Sequence, residues 1–268
     1  MPALIPLIVL SHQFIIDKIS WIRLIRIIAF VSLLFVIAGR LYLAVDIGPD
    51  NSTKLRFHNN KEWAKAIAEK TGDLPVVFNN SYQRASLFWF YSGVPSHSHN
   101  WYGDRRSNYN FWPTESNLLG KKVFIADIYG INTFSDSVKT KKGWVGLSYD
   151  SMYAALGGIR FVIKQKSIDL DSAYITINIT PQVPAEYQNF LQTHHDINGM
   201  LFVGIFKGKN IIKELNLEIT AQEITKQNSS FTISIARRLP RGSYDIRLGI
   251  KAKNYLITHN SETLHVDF

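Results

Sequence analysis

The sequence predicts an α+β multidomain membrane protein of three parts: a transmembrane helix, a small α/β layer domain, and an antiparallel β-sandwich of immunoglobulin-like size. Three observations predict it. An apolar, uncharged run lies near the N-terminus, short apolar strands alternate with helical patterns in the middle of the chain, and a period of two governs the C-terminal half.

The apolar run is Trp21 to Val45, and its centre, Ile27 to Gly39, carries no charge. With its flanks it offers about 25 residues, enough to cross a hydrocarbon layer of roughly 30 Å. Arg26 and Arg40 fall near its ends, where a long side chain can carry its charge to the headgroups. A buried helix of a soluble domain or a signal sequence would show a similar run, but Arg40-Leu41-Tyr42 is no small-residue cleavage site. Lys18, Arg23 and Arg26 precede the run whereas Asp46 and Asp50 follow it, which places the chain after about residue 46 on the outer face. Met1 to Leu10 is apolar yet too short to span. It reads as the end of an earlier membrane helix, with His12 to Arg26 as the return loop and Met1 not the natural start; an interfacial helix is the alternative. Residues 1–48 are therefore the expected membrane segment.

The chain has 268 residues, a formal charge of +9 and no cysteine. Without cysteine there is no disulfide framework and no thiolate metal site, which suits a periplasmic domain held by its own cores. The basic residues are interleaved with acidic ones rather than clustered, so nucleic acid is not an expected partner.

An α/β domain is expected over residues 52–140. Asn59-Asn60-Lys61-Glu62 has the form of a capping box ahead of Trp63, Ala64, Ile67 and Ala68, and Gly72 stops that helix. Leu74 to Phe78 reads as a buried strand, Ser81 to Tyr91 as a helix ending at Gly93, and Lys122 to Asp127 as a second buried strand. Lys139 to Gly143 is the expected linker. Over residues 144–268, Ile175, Ile177 and Ile179, then Phe231, Ile233 and Ile235, then Tyr244, Ile246, Leu248 and Ile250 alternate with polar residues, and Leu264, Val266 and Phe268 close the chain; this is the expected sandwich.

Candidate chemistry is sparse. His97 and His99 would share one face of a strand, and His194 and His195 precede Asp196, yet the sequence places no third ligand, so these read as surface loop histidines and no metal or cofactor is expected. Ser81, Ser86 and Ser92 lack a nucleophile-elbow context. The segment from Asn79 to Trp112 is the most unusual, with ten aromatic residues among Arg84, Arg105, Arg106 and several amides. Aromatic faces beside arginine suit a sugar or a lipid headgroup. The favoured reading is that the aromatics form the domain core and its seat on the membrane, with Arg105 and Arg106 the exceptions that face a ligand or anionic lipid.

The opening Met-Pro-Ala-Leu-Ile-Pro-Leu, Arg40-Leu41, Trp63, Pro75-Val76-Val77-Phe78, Asn80-Ser81-Tyr82-Gln83, Phe90-Tyr91, Arg105, Asn108-Tyr109 and Trp112 together resemble the C-terminal part of bacterial GT-C membrane glycosyltransferases, in the protein mannosyltransferase and lipid A aminoarabinose transferase group and of Bacteroidetes type. The resemblance covers about residues 1 to 130. It implies sugar transfer from a polyprenyl-phosphate carrier at the outer face of the bacterial inner membrane, with membrane lipid, a lipid-linked sugar, and upstream helices or a partner chain as partners. The family's catalytic acidic residues lie in an early outer loop, and Asp17, Asp46 and Asp50 do not match that motif. No catalytic residue is therefore assigned, and this stretch alone is expected to be inactive. Arg40, Arg105 and Arg106 are the candidate substrate-binding residues, a guanidinium near the interface being suited to phosphate. The alternative is a complete, non-catalytic, membrane-anchored binding or scaffolding module.

Overall fold

The computed structural model describes residues 11–12, 18–44, 58–128, 134–163, 174–227, 230–236 and 240–267. Its architecture is α+β, an N-terminal apolar helix followed by several sheets that are mostly antiparallel. The chain divides into two compact units, Met1–Asn59 and Asn60–Phe268. The expected partial helix at Met1 to Leu10 and the carboxylates Asp17, Asp46 and Asp50 lie outside the described residues.

In the first unit, helix α1 spans Ile19–Ala44. Its 26 residues rise about 39 Å at 1.5 Å each, and an 18-residue window within Ile19–Tyr42 has a mean hydropathy of 2.3, so the helix is long and apolar enough to cross a membrane.

The second unit opens with α2 (Asn60–Thr71), which buries Asn60, Trp63, Ala64, Ile67 and Thr71 at helical spacing. The chain leaves it through Gly72, at φ +62 with its N–H bonded to the Ala68 carbonyl, as the sequence predicts. Then come β1 (Val76–Asn79), α3 (Tyr82–Ser92), β2 (Ser96–His99), β3 (Val123–Asp127), β4 (Asp136–Thr140) and β5 (Gly143–Asp150). These strands form one five-stranded sheet in the order β2-β1-β3-β5-β4, with β1, β2 and β3 parallel and the rest antiparallel. Helices α2 and α3 close one of its faces. Trp63, Phe78 and Phe88 meet there with ring centroids 5.6 to 6.4 Å apart, among Val76, Ala126, Val145 and Leu147.

The expected linker at Lys139 to Gly143 is instead the β4–β5 hairpin. Thr140 pairs with Gly143 across a two-residue turn, the Thr140 hydroxyl donates to the Gly143 carbonyl at 2.6 Å, and Gly143 takes φ +101. Polar residues followed by glycine suit a tight hairpin as well as a linker, and the antiparallel pairing of β5 with β3 holds residues 143–150 in this sheet.

Beyond lie β6 (Arg160–Ile163), β7 (Tyr174–Gln182), α4 (Ala185–Thr193), β8 (Gly199–Lys207), β9 (Asn210–Thr220), α5 (Ala221–Gln227), β10 (Phe231–Ala236), β11 (Ser243–Ala252) and β12 (Leu264–Asp267). They form two antiparallel sheets, β10-β7-β6 and β12-β11-β8-β9. The predicted alternation is met in the burial: Ile175, Ile177, Ile179, Ile233 and Ile235 from the first sheet share one apolar cluster with Leu201, Val203, Ile205, Ile246, Leu248 and Ile250 from the second. Burying each such side chain is worth about 1.5 to 3 kcal/mol, and this cluster is the main core of the C-terminal half.

Candidate functional site

The turn between β1 and α3 builds the site. Asn80, at φ +51, accepts a hydrogen bond from the Trp101 N–H at 3.3 Å and donates its amide to Asp104. It thereby ties the start of α3 to the loop that carries Arg105 and Arg106. The far end of that loop is fixed by Asn100, whose Nδ2 donates to Ser107 Oγ and to Asn110 Oδ1 at 2.6 Å each, while Ser107 and Asn110 cap each other across the 3₁₀ turn Asn108–Asn110. Tyr109 is buried under the turn, with its hydroxyl 3.1 Å from Ser86 Oγ and Trp112 packed on its ring at 5.4 Å.

The result is an open cavity of about 220 Å³ walled by Tyr82 and Ser86 of α3, by Arg105 and Arg106, and by Asn108, Tyr109 and Trp112. Arg105 is exposed; its Nη2 donates to the Tyr82 hydroxyl at 3.0 Å and its guanidinium lies 5.9 Å from that ring's centre. Arg106 is more sheltered, paired with Glu262 and 5.2 Å from the centre of the Phe111 ring, on which Arg160 also lies at 5.2 Å. The structure thus brings Arg105 and Arg106 to one cavity, as the sequence suggests. Arg40 sits on α1 in the other unit.

The aromatic segment divides in two. Phe88, Tyr102 and Tyr109 are core residues, whereas Tyr82, Trp89, Phe90, Tyr91, Phe111 and Trp112 are exposed, Phe90 by 79% and Phe111 by 65%. Neither the core nor the ligand-facing reading of the segment covers it alone.

Two of the histidines differ from expectation. His97 and His99 are not surface loop residues; they lie on β2, every residue of which is buried. His97 Nδ1 is 2.9 Å from the Thr114 hydroxyl, and its Nε2 lies 3.4 Å from Glu115 Oε2. Glu115 also accepts from the Tyr187 hydroxyl at 2.7 Å and from the Gly158 N–H at 3.2 Å. Burial alone would raise the Glu115 pKa, but the hydrogen bond and charge of His97, with His99 and Tyr187, hold it down at about 2. Gly157 and Gly158 permit the close approach: a Cβ on Gly157 would fall 2.6 Å from Glu115 Oε2, and one on Gly158 2.4 Å from the Tyr187 ring. His99 donates from Nε2 to the Leu256 carbonyl at 2.8 Å, and burial lowers its pKa. Nothing in the local sequence marks Glu115, whose partners come from distant segments. His194 caps the end of α4 and stacks on Phe190 at 4.4 Å rather than pairing with His195 toward a ligand. Among the described residues no three metal-ligating side chains come together.

No family model and no curated protein matches the chain. A solved structure that it matches is the crystal structure of a DUF3823 family protein from Bacteroides ovatus ATCC 8483, at 13% identity and a TM-score of 0.27, covering 49% of this chain and 83% of that one; a likeness of that degree carries no argument about fold or function.

Proposed function

We propose that this chain is the membrane-anchored, outer-face portion of a polyprenyl-phosphate-sugar-dependent glycosyltransferase of the GT-C class, and that it contributes recognition of the lipid-linked donor rather than the chemistry of transfer. In this reading α1 spans the bacterial inner membrane, residues 60–268 are periplasmic, and the two C-terminal sheets pack as a β-sandwich of immunoglobulin-like size. The observation that carries the reading is the cavity at Arg105 and Arg106, where two guanidinium groups stand at the rim of an exposed aromatic surface. A guanidinium offers a phosphate paired donors, and exposed Trp, Tyr and Phe side chains suit the headgroup layer in which a carrier phosphate lies. Arg40, on α1, is a separate candidate phosphate contact in this account.

The test is photo-crosslinking. A polyprenyl phosphate bearing a photoreactive group is bound to the full chain in nanodiscs, and the labelled peptides are mapped. Label on residues 82–112, competed by unmodified polyprenyl phosphate, supports the reading. Label confined to the apolar centre of α1, unchanged by the competitor, contradicts it.

A non-catalytic, membrane-anchored binding module remains the second reading, favoured by one observation. His97 and Glu115, an acid-base pair next to the cavity wall, are buried and held by Thr114, Tyr187 and Gly158, an arrangement that supports structure rather than proton transfer to a substrate.

A further inference from the structure

The other face of the five-stranded sheet carries a second cavity of about 510 Å³, more than twice the volume of the arginine pocket. Where the helix-covered face presents Val76, Phe78, Phe124, Ala126 and Leu147, this one presents a buried apolar centre of Val77, Val123 and Ile125, with Asn79, Asp127, Ser148 and Asp150 half-buried around it. The half-buried polar residues line the cavity.

Its place in the topology is equally informative. From β1 the chain runs through α3 to β2 on one side, and from β2 it returns past β1 to β3 on the other. Asn79 and Asp127 are the last residues of the adjacent parallel strands β1 and β3, so they stand at the point where the connections diverge, with Asn79 Nδ2 3.5 Å from Asp127 Oδ2. Crevices at such carboxyl ends are where open α/β sheets bind ligands.

The opposite wall is the turn after β11, at Lys253 to Leu256, and it is held firmly. Lys253, at φ +51, donates to Asp150 at 2.6 Å and to the Met152 carbonyl at 2.8 Å, the Tyr255 hydroxyl bonds Asp150, and His99 holds the Leu256 carbonyl. Asp150 and Lys253 thus neutralise each other and shape the wall. The space is lined by Asp127, Asn79, Asn254, Ser148, Phe134 and Tyr255, the Tyr255 ring itself packed against Tyr153 and His99 and beneath the Lys253 ammonium. Among the described residues no surplus positive charge favours a phosphate here; carboxylate and hydroxyl acceptors with amide donors suit the hydroxyls of a sugar.

We infer that this cleft is a binding site for an uncharged glycan, separate from the arginine pocket and independent of what that pocket binds. The test is saturation-transfer NMR on the full chain in a sugar-free detergent, with D-mannose, D-glucose and N-acetyl-D-glucosamine as millimolar probes. At least one sugar receives saturation, D127N and N79A weaken its binding at least tenfold, S148W blocks it by filling the cleft, and R105A leaves it unchanged. Far-UV circular dichroism and the melting transition show whether each variant is folded, and S148W reads the site without removing a polar group. Absence of transfer to all three sugars overturns the inference. So does transfer that survives both D127N and S148W, or transfer that is lost on adding a chelator of divalent cations.

Discussion

His97 Nε2 lies 3.4 Å from Glu115 Oε2 in the interior of the second unit, with side-chain exposures of 2% and 9%. Glu115 reaches from this pair to Tyr187 on α4 and to the Gly158 backbone, so one carboxylate joins the five-stranded sheet to the C-terminal half of the same unit. Removing it by E115A leaves three buried donors without their acceptor and costs about 3 kcal/mol or more. E115Q keeps an acceptor for Tyr187 and costs less. Urea denaturation of the detergent-solubilised chain measures both.

Glu115 and two buried histidines set an acid limit. His259 is held low, at about 4, first by burial and then by Arg106 and Arg247, and burial lowers His99 as well. Their folded pKa values lie below the unfolded value of 6.5, so stability declines as pH falls from 6.5 towards 4. Glu115 is likewise lowered from 4.5, and its contribution is whole above that pH and lost as pH falls through 4.5 towards 2. The denaturation midpoint is therefore highest above pH 6.5 and drops in two stages on acidification. H259N shrinks the first stage to the share of His99 and leaves the second.

Arg105 and Arg106 separate binding from stability. Arg105 is exposed and, among the described residues, bonds Tyr82, so R105A changes stability by no more than about 0.5 kcal/mol. Arg106 packs on Phe111 and pairs with Glu262 at a side-chain exposure of 14%, so R106A lowers the melting transition as well as any anion affinity. Parallel melts of the two variants check the difference.

Gly249 lies opposite Phe202 in the β11–β8 pairing, and a Cβ there would fall 2.4 Å from the Thr258 carbonyl oxygen. Backbone cannot swing aside as a side-chain end can, so G249A costs about 1 to 3 kcal/mol, read as a lower urea midpoint. F88A opens a cavity between Trp63 and Phe78 and costs about 3 to 5 kcal/mol by the same measurement.

Much of this fold is legible wherever one short stretch carries its own signal. The apolar run appears as α1, Gly72 and Gly93 end their helices in the left-handed conformation, and the alternating isoleucines of β7, β10 and β11 all point into one cluster. What escapes the sequence depends on partners far along the chain. Ser-His-Ser-His has no apolar period, yet it is a fully buried strand because Thr114, Glu115, Tyr153 and Leu256 supply its polar contacts. Gly199 to Lys207 is a nearly unbroken apolar run with no alternation to mark it, and it becomes the strand β8 between β9 and β11. Arg105 and Arg106 stand out in the sequence by type; their shared cavity depends on Asn80 and Asn100, which hold the loop from either end.

The central claim is that the arginine pocket recognises the phosphate of a lipid carrier, and native mass spectrometry of the full chain in nanodiscs tests it most directly. Polyprenyl phosphate and the matching polyprenol are titrated against wild type, R40A and R105A. The account predicts that the phosphate binds at least tenfold more tightly than the alcohol, and that R105A removes most of that difference while R40A reduces it. Equal affinity for phosphate and alcohol, or a preference untouched by R105A, would contradict it.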